Sequence, residues 1–273
     1  MIGIRKAAFK SWLLPLAIAA PLLACGEEGR RDWGRSAPAA QPAKDPEAAY
    51  LPPPKVVTAA IQGNGVALSG SAVAGASVRL GAPTGEATST EADASGLWRA
   101  VVPIAPEPRL FGLSMTREGR TVQAEGYILV TPEGLVALLR AGGGSEPLAG
   151  PSDSLRILAI DYDQEGGVVI SGVGRPGAGF GIRIDRTTEG QAKVDAQGRF
   201  NFALTRPLAH GEHSVQVAGE GGEDLVRIVA SPHAPLTAGP LHAERVDGAW
   251  RADWMTPGGG VQTTILFPLG GSQ

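Results

Sequence analysis

The stretch VALSGSAVAGASVRL (residues 66–80) recurs 102 positions further on as VVISGVGRPGAGFGIRI (residues 168–184). The same offset relates the D-A-x-G turns that begin at Asp93 and at Asp195. Glycines and apolar positions therefore keep one spacing across roughly 30 residues, which is the signature of an internal repeat. We interpret the chain as a tandem duplication.

Each copy has the pattern of short strands joined by turns. In the second copy, apolar residues alternate with polar or small ones over 168–170, 180–184, 200–204 and 215–217. This is the period of a half-buried strand. Turn sequences such as DQEGG, RPGAG and GEGGED separate these segments. About seven short strands per copy predict an all-β fold of two tandem antiparallel β-sandwiches.

Two pairs of equivalent residues sharpen this prediction. Gly96 and Gly198 end the D-A-x-G turns, where the chain needs a residue with positive φ. Trp98 and Phe200 then begin the following strand, and we expect both rings to lie in a hydrophobic core.

The composition agrees with strands and turns. Of 273 residues, 43% are hydrophobic and 5% aromatic, while 39 are Gly and 22 are Pro, which favours turns over long helices. The formal net charge is −3, and the basic residues after the leader are scattered. This argues against a nucleic-acid partner, because a basic stripe is what neutralises a run of phosphates.

The N-terminal residues predict where the protein is located in the cell. A basic start is followed by an apolar segment, residues 11–24, that covers about 21 Å as a helix, less than the ~30 Å of a bilayer core. This is typical of a secretory signal. Leu22, Leu23 and Ala24 then precede Cys25, the only cysteine, and together they resemble the lipobox of bacterial lipoproteins. An ordinary signal with a chance cysteine is the alternative.

The lipobox resemblance implies cleavage before Cys25, a diacylglycerol on its thiol and an acyl chain on its new amine. It implies a membrane-anchored lipoprotein, and Gly26 in place of an Asp favours the outer membrane, facing the periplasm or the cell surface. The Pro- and Ala-rich stretch that follows is predicted to be a disordered tether.

The expected segments are a lipoprotein signal peptide (1–24), the lipidated cysteine and tether (25–54), a first module (55–131), a short strand and Gly-rich linker (132–153), a second module (154–232) and a C-terminal β-hairpin segment (233–273).

The modules resemble the bacterial Ig-like domains of cell-envelope proteins, in the form V-x-x-S-G, then G-A-x-V, then D-x-x-G-x-W/F, then L-x-x-G-x-Y/H-x-V-x-V. The second copy matches throughout, including LAHGEHSVQV (residues 208–217), whereas the first departs at PEPRLFGLSM. The resemblance implies an Ig-like sandwich fold and does not specify a function.

Several patterns invite a chemical interpretation, and the simpler structural one is favoured for each. Residues 172–177 satisfy G-x-G-x-x-G, but a strand pattern follows where a nucleotide site needs a helix, so we expect a β-turn. The acidic stretch 161–165 lacks the ligand series of a calcium loop and is interpreted as a solvated turn. His210 and His213 do not converge on a metal at this spacing, and we expect His213 to make structural hydrogen bonds. No metal and no cofactor is predicted.

Trp250 and Trp254 are four residues apart, which places them on one face of a strand. They are candidate glycan contacts, because two indole rings can stack on sugars. Alternatively, they close the hydrophobic edge of the last sheet.

We therefore predict a lipid-anchored, non-enzymatic cell-envelope protein whose two Ig-like domains serve as a scaffold or recognition module. Its partners are the membrane, through the anchor, and other envelope proteins or glycans. A glycan- or peptidoglycan-binding lipoprotein is one alternative. A hydrolase with an unrecognised carboxylate pair is the other, although the sequence contains neither G-x-S-x-G nor H-E-x-x-H.

Overall fold

The computed structural model describes residues 50–150 and 152–268. Within these ranges all regular structure is β, and the strands pair antiparallel, which confirms the all-β prediction. None of the described residues forms a helix long and apolar enough to cross a membrane. The predicted signal peptide, lipobox and Cys25 lie outside the described residues.

Ten strands build the first sandwich. They are β1 (Lys55–Gln62), β2 (Gly65–Ser71), β3 (Ser77–Gly81), β4 (Ala87–Glu91), β5 (Leu97–Pro103), β6 (Arg109–Arg117), β7 (Arg120–Gln123), β8 (Tyr127–Val130), β9 (Val136–Leu139) and β10 (Glu146–Pro147). Sheet I has the order β1-β2-β5. Sheet II has the order β10-β9-β8-β6-β3-β4, with β7 also paired to β6.

Ten more strands build the second sandwich. They are β11 (Arg156–Tyr162), β12 (Val168–Val173), β13 (Gly179–Ile184), β14 (Thr187–Lys193), β15 (Arg199–Ala203), β16 (Gly211–Gly219), β17 (Gly222–Ala230), β18 (Leu241–Val246), β19 (Ala249–Met255) and β20 (Val261–Leu266). Sheet III has the order β15-β12-β11-β20-β19-β18, and sheet IV has the order β14-β13-β16-β17.

The duplication is visible in the backbone. β1 pairs with β2, and β11 with β12, through ladders that each contain a register shift, at Val57 and at Leu158. Gly70 and Gly172 lie at matching positions beside these shifts. A Cβ on Gly70 would stand 1.8 Å from the Lys55 carbonyl oxygen, and one on Gly172 would stand 2.0 Å from that of Arg156. Both copies therefore need glycine where two strands approach closely.

The D-A-x-G turns are also alike. The Asp93 carboxylate accepts two backbone N–H groups at 2.8 and 2.9 Å, and the Asp195 carboxylate accepts two at 2.9 and 2.8 Å. Gly96 and Gly198 both have φ of 80°, as the turn pattern predicts. Each turn is thus closed by an acidic side chain and a left-handed glycine.

Each sandwich has its own core. Trp98 is 2% exposed in the first core and Phe200 is 3% exposed in the second, so both are core residues as predicted. Trp98 Nε1 donates to two carbonyls, those of Lys55 and Ser71, each at 3.2 Å. The ring of Phe200 packs on Phe180 at a centroid distance of 4.6 Å.

Two segments extend these sheets beyond the repeated units. Strands β9 and β10, within the segment predicted to be a short strand and linker, continue sheet II. The C-terminal segment forms three strands, and β20 pairs with the outer edge of β11. Sheets II and III thereby gain the surface through which the two sandwiches meet.

Candidate functional site

The structural feature with the clearest functional consequence is a third hydrophobic core between the two sandwiches. Its buried members come from β6, β8 and β9 on one side and from β11, β19 and β20 on the other: Leu110, Leu129, Ala137, Leu139, Ala159, Ala252, Trp254 and Leu266. We call this set the inter-sandwich core. Because of this core, strand β8 is buried on both faces. Ile128 faces the first core, Leu129 faces the inter-sandwich core, and both are 0% exposed.

Trp254 is the largest side chain in the inter-sandwich core and is 0% exposed. Its ring meets Tyr127 of the first sandwich edge to face, at a centroid distance of 6.0 Å and an interplanar angle of 84°. Its Nε1 donates to Thr264 Oγ1 at 3.0 Å. A buried indole with its N–H satisfied is a strong packing contact.

Trp250 lies on the same face of β19, as the spacing predicts, and packs partly buried at the margin of this core. Its Nε1 donates to Glu133 Oε2 at 2.7 Å, and the Arg245 guanidinium lies 5.4 Å from its ring centroid. The structure corrects the glycan interpretation of this pair, because the buried Trp254 has no ring face to offer a sugar. Both rings lie on the face of sheet III that packs against the first sandwich, and β19 is an inner strand of that sheet.

Asp161 is a buried carboxylate at the same interface. It is 2% exposed and accepts the backbone N–H and the hydroxyl of Ser145, each at 2.6 Å. Thr264 Oγ1 and Gln262 Nε2 donate to it at 2.6 and 3.3 Å. Burial raises the pKa of Asp161, and these hydrogen bonds oppose that rise. Because Ser145 belongs to the connection between the sandwiches, the network fixes that connection to sheet III.

Charged pairs surround the interface. Glu133, in the turn between β8 and β9, accepts from Arg245 at 2.5 Å. Glu146 of β10 forms an ion pair with Arg199 of the second sandwich and lies 3.9 Å from Arg140. These pairs link the first sandwich and its connection to the second, although each pair that is exposed to solvent contributes little stability.

A second buried polar group lies on the opposite face of sheet III. Asp253 is 0% exposed and accepts from Arg251 Nε at 3.2 Å, Thr263 Oγ1 at 2.6 Å and the Ala234 N–H at 2.8 Å. Arg251 in turn donates to the carbonyls of Ser231 and Pro232. The pair therefore holds the chain leaving β17 against the C-terminal strands.

Asp161 and Asp253 do not form a catalytic pair. Asp161 stands opposite Thr264 and Asp253 opposite Thr263 in the β20 ladder. Successive residues of a strand point to opposite faces, so the two carboxylates lie on different sides of sheet III. This geometry gives the hydrolase alternative no support from these two residues.

The acidic stretch 161–165 divides between strand and turn. Asp161 is buried in β11, so only the later part lies in a turn, where Asp163 Oδ1 accepts the Gly167 N–H at 2.8 Å. A surface hollow of about 190 Å³ beside this turn has His210 and His233 among its lining residues. In the described part of the chain, no three His, Cys, Asp or Glu side chains are placed to hold a metal ion.

The remaining motifs are structural. Residues 172–177 leave β12 and turn into β13, as expected of a β-turn. His213 Nδ1 lies 2.7 Å from Asp185 Oδ2, and its Nε2 lies 2.8 Å from the Ala209 carbonyl oxygen. These contacts are the structural hydrogen bonds predicted for His213.

Sequence interpretation missed Asp161 and Ser145 as interface residues. One signal was present, because Asp161 interrupts the apolar run of β11, RILAIDY. An acidic residue within such a run indicates a buried and hydrogen-bonded carboxylate.

Comparison with known proteins finds solved structures that match at low identity and low TM-score. No family model matches the chain, and no curated protein matches it. Among solved structures, the chain is similar to the BSP domain of a biofilm-associated protein, at 14% identity and a TM-score of 0.22, over 67% of this chain and 30% of that one. It thus spans about 30% of the length of that structure.

Two further solved structures are similar. The central fibronectin-III array of RIM-binding protein matches at 13% identity and a TM-score of 0.25, over 79% of this chain and 89% of that one. A Ca²⁺-stabilised adhesin that helps an Antarctic bacterium reach out and bind ice matches at 13% identity and a TM-score of 0.20, over 74% and 86%.

Proposed function

We propose that this chain is a lipid-anchored, non-enzymatic protein of the bacterial cell envelope that holds two joined β-sandwiches at a fixed geometry. In this proposal Cys25 carries the lipid, residues 26–54 are the tether, and the sandwiches form a scaffold or recognition element. The partners are other envelope proteins or glycans.

The inter-sandwich core is the observation that carries the fixed geometry of the two sandwiches, whereas the lipid anchor rests on the lipobox resemblance of residues 22–25. Two domains that act independently are usually joined by a flexible linker and a small polar interface. Here Trp254 and Asp161 are buried between the sandwiches, and Ser145 of the connection is 0% exposed. Bending at this junction would expose the indole and break the hydrogen bonds of a buried carboxylate, so the two sandwiches support a rigid presenting role.

Metabolic labelling with palmitate tests the anchor. The full chain should incorporate label, and Cys25→Ser should incorporate none, because the thiol and the processing site are lost together. Trp33→Ala, a change in the tether, is the matched control and should stay labelled. Unlabelled wild-type protein, or label retained by Cys25→Ser, would contradict a lipid anchor at Cys25.

Crosslinking in the native cell tests the recognition role. A photo-crosslinking residue placed at Arg99, on sheet I, or at Arg183, on sheet IV, samples one exposed strand of each sandwich. We expect one of these positions to capture a discrete envelope protein or glycan. If neither captures anything while the protein is folded and membrane-bound, the recognition role fails and the anchor is unaffected.

A further inference from the structure

Strand β1 has a free outer edge where its duplicate does not. Among the described residues, β1 pairs with β2 alone. The equivalent strand β11 pairs with β12 on one side and, over Ala159–Tyr162, with β20 on the other. Counted from the shared bulge, that segment corresponds to residues 58–61 of β1. One copy of the duplicated sheet is thus extended at this edge, and the other ends there.

The side chains of β1 also differ from those of a protected edge. Strand β1 has eight residues, KVVTAAIQ, and its one charge is Lys55 at the first position. Val57 is 50% exposed and Ile61 is 64% exposed. A long, apolar edge strand with free backbone groups is a template for pairing with another strand.

The other outer strands with three or more residues also carry charges, and four of them, β5, β14, β17 and β18, carry charges inside the strand. Strand β17 contains Glu223, Asp224 and Arg227, and β18 contains Glu244 and Arg245. Arg99 in β5 and Glu189 in β14 are also internal, whereas β4, β7 and β15 are strands of four or five residues whose one charge, Glu91, Arg120 or Arg199, lies at an end. Charged residues on edge strands oppose pairing with other chains, and β1, with eight residues and its one charge at the first position, is the longest outer strand of the described sheets without an internal charge.

We infer that β1 pairs antiparallel with β1 of a second copy of this chain, forming a two-fold dimer. Antiparallel pairing of a strand with itself is self-complementary and closes after two copies. It joins sheet I of each copy into one six-stranded sheet, the size that sheet III reaches through its C-terminal strands.

The charge and the size of the β1 side chains favour β1 of a second copy as the strand that pairs with this edge. Thr58, Ala60 and Gln62 face one side of sheet I, because they stand opposite Ser69, Ala67 and Gly65. A two-fold axis at Ala59 places Thr58 opposite Ala60 of the second copy, and an axis at Ala60 places Thr58 opposite Gln62. In both registers, residues from the same side of sheet I meet in the two copies. The residues nearest the axis are then short and uncharged, and the two Lys55 side chains lie at opposite ends, so no like charges face each other.

Sedimentation of the full chain in detergent, over a concentration series, tests the dimer. The wild type should have twice the monomer mass, and Val57→Lys with Ile61→Lys should sediment as a monomer. Leu225→Lys with Val229→Lys is the matched control on β17, where the two residues are also four apart and are 48% and 43% exposed. The control should stay dimeric. A monomeric wild type, or a dimeric β1 variant, would overturn the inference.

Disulfide crosslinking covers the case in which the β1 lysine variant fails to fold. Ala59→Cys and Ala60→Cys each add a thiol at one of the two positions on the axis, so mild oxidation should link one of them to itself in a second copy. Leu225→Cys and the wild-type chain, with Cys25 alone, set the background. Absence of a covalent dimer from both alanine positions, or a link to a different protein, would overturn the inference.

Discussion

Replacing Trp254 by alanine should destabilise the protein strongly without affecting an exposed binding surface. The indole is 0% exposed, so the change removes roughly 200 Å² of buried apolar area, worth about 5 kcal/mol at 25 cal/mol/Å² as an upper estimate. It also removes the Nε1 hydrogen bond to Thr264, worth about 1 kcal/mol. Partial collapse of the site offsets part of this loss. We expect the free energy of unfolding to fall by about 3–5 kcal/mol.

Urea unfolding, followed by circular dichroism and fitted with separate slopes for wild type and variant, measures this loss. Trp250→Ala is the matched control, since it lies on the same strand and face but is only partly buried. Its loss should be less than half that of Trp254→Ala. If Trp254→Ala costs less than about 1 kcal/mol, as for an exposed side chain, the burial between the sandwiches is refuted.

Two further changes test the buried polar group and the duplicated backbone. Because burial raises the pKa of Asp161 in the folded chain, the wild type should lose stability as the pH rises from about 4, the unfolded value, through the raised folded pKa. Asp161→Asn does not titrate, so unfolding between pH 4 and 8 should show its stability rising relative to wild type across that window, and a constant difference would contradict the shift. Gly172→Ala should cost about 3 kcal/mol or more in thermal or urea unfolding, because its Cβ would lie 2.0 Å from the Arg156 carbonyl oxygen. Gly177→Ala, with φ of 80° and open space around it, should cost only about 1–2 kcal/mol, and equal losses would refute the close approach.

The repeated units could be predicted because their determinants are local. The alternation around residues 180–184 specifies a strand, and the D-A-x-G turn requires a left-handed glycine at Gly198 whatever lies beyond it. Phe200 then follows the turn on the inward face. These features depend on neighbours in sequence, and the structure places each as predicted.

The interface could not be predicted, because alternation shows that a face is apolar but does not show what covers it. Trp250 and Trp254 were correctly placed on one face, yet a sugar and a second sandwich both suit two indoles. The pairing of β20 with β11 joins residues about 100 positions apart in sequence, and no local pattern specifies that partner. The burial of Ser145 follows from the same distant packing.

The most direct measurement of the rigid junction is the distance between spin labels on the two sandwiches. The chain has one cysteine, so a Cys25→Ser background allows labels at Glu91→Cys in β4 and Arg227→Cys in β17. Electron–electron double resonance on labelled protein diluted with excess unlabelled protein, so that distances between two copies do not contribute, should then give a single narrow distance distribution, which should broaden when Trp254→Ala is added. A broad distribution in the parent with Trp254 intact would contradict a fixed geometry of the two sandwiches.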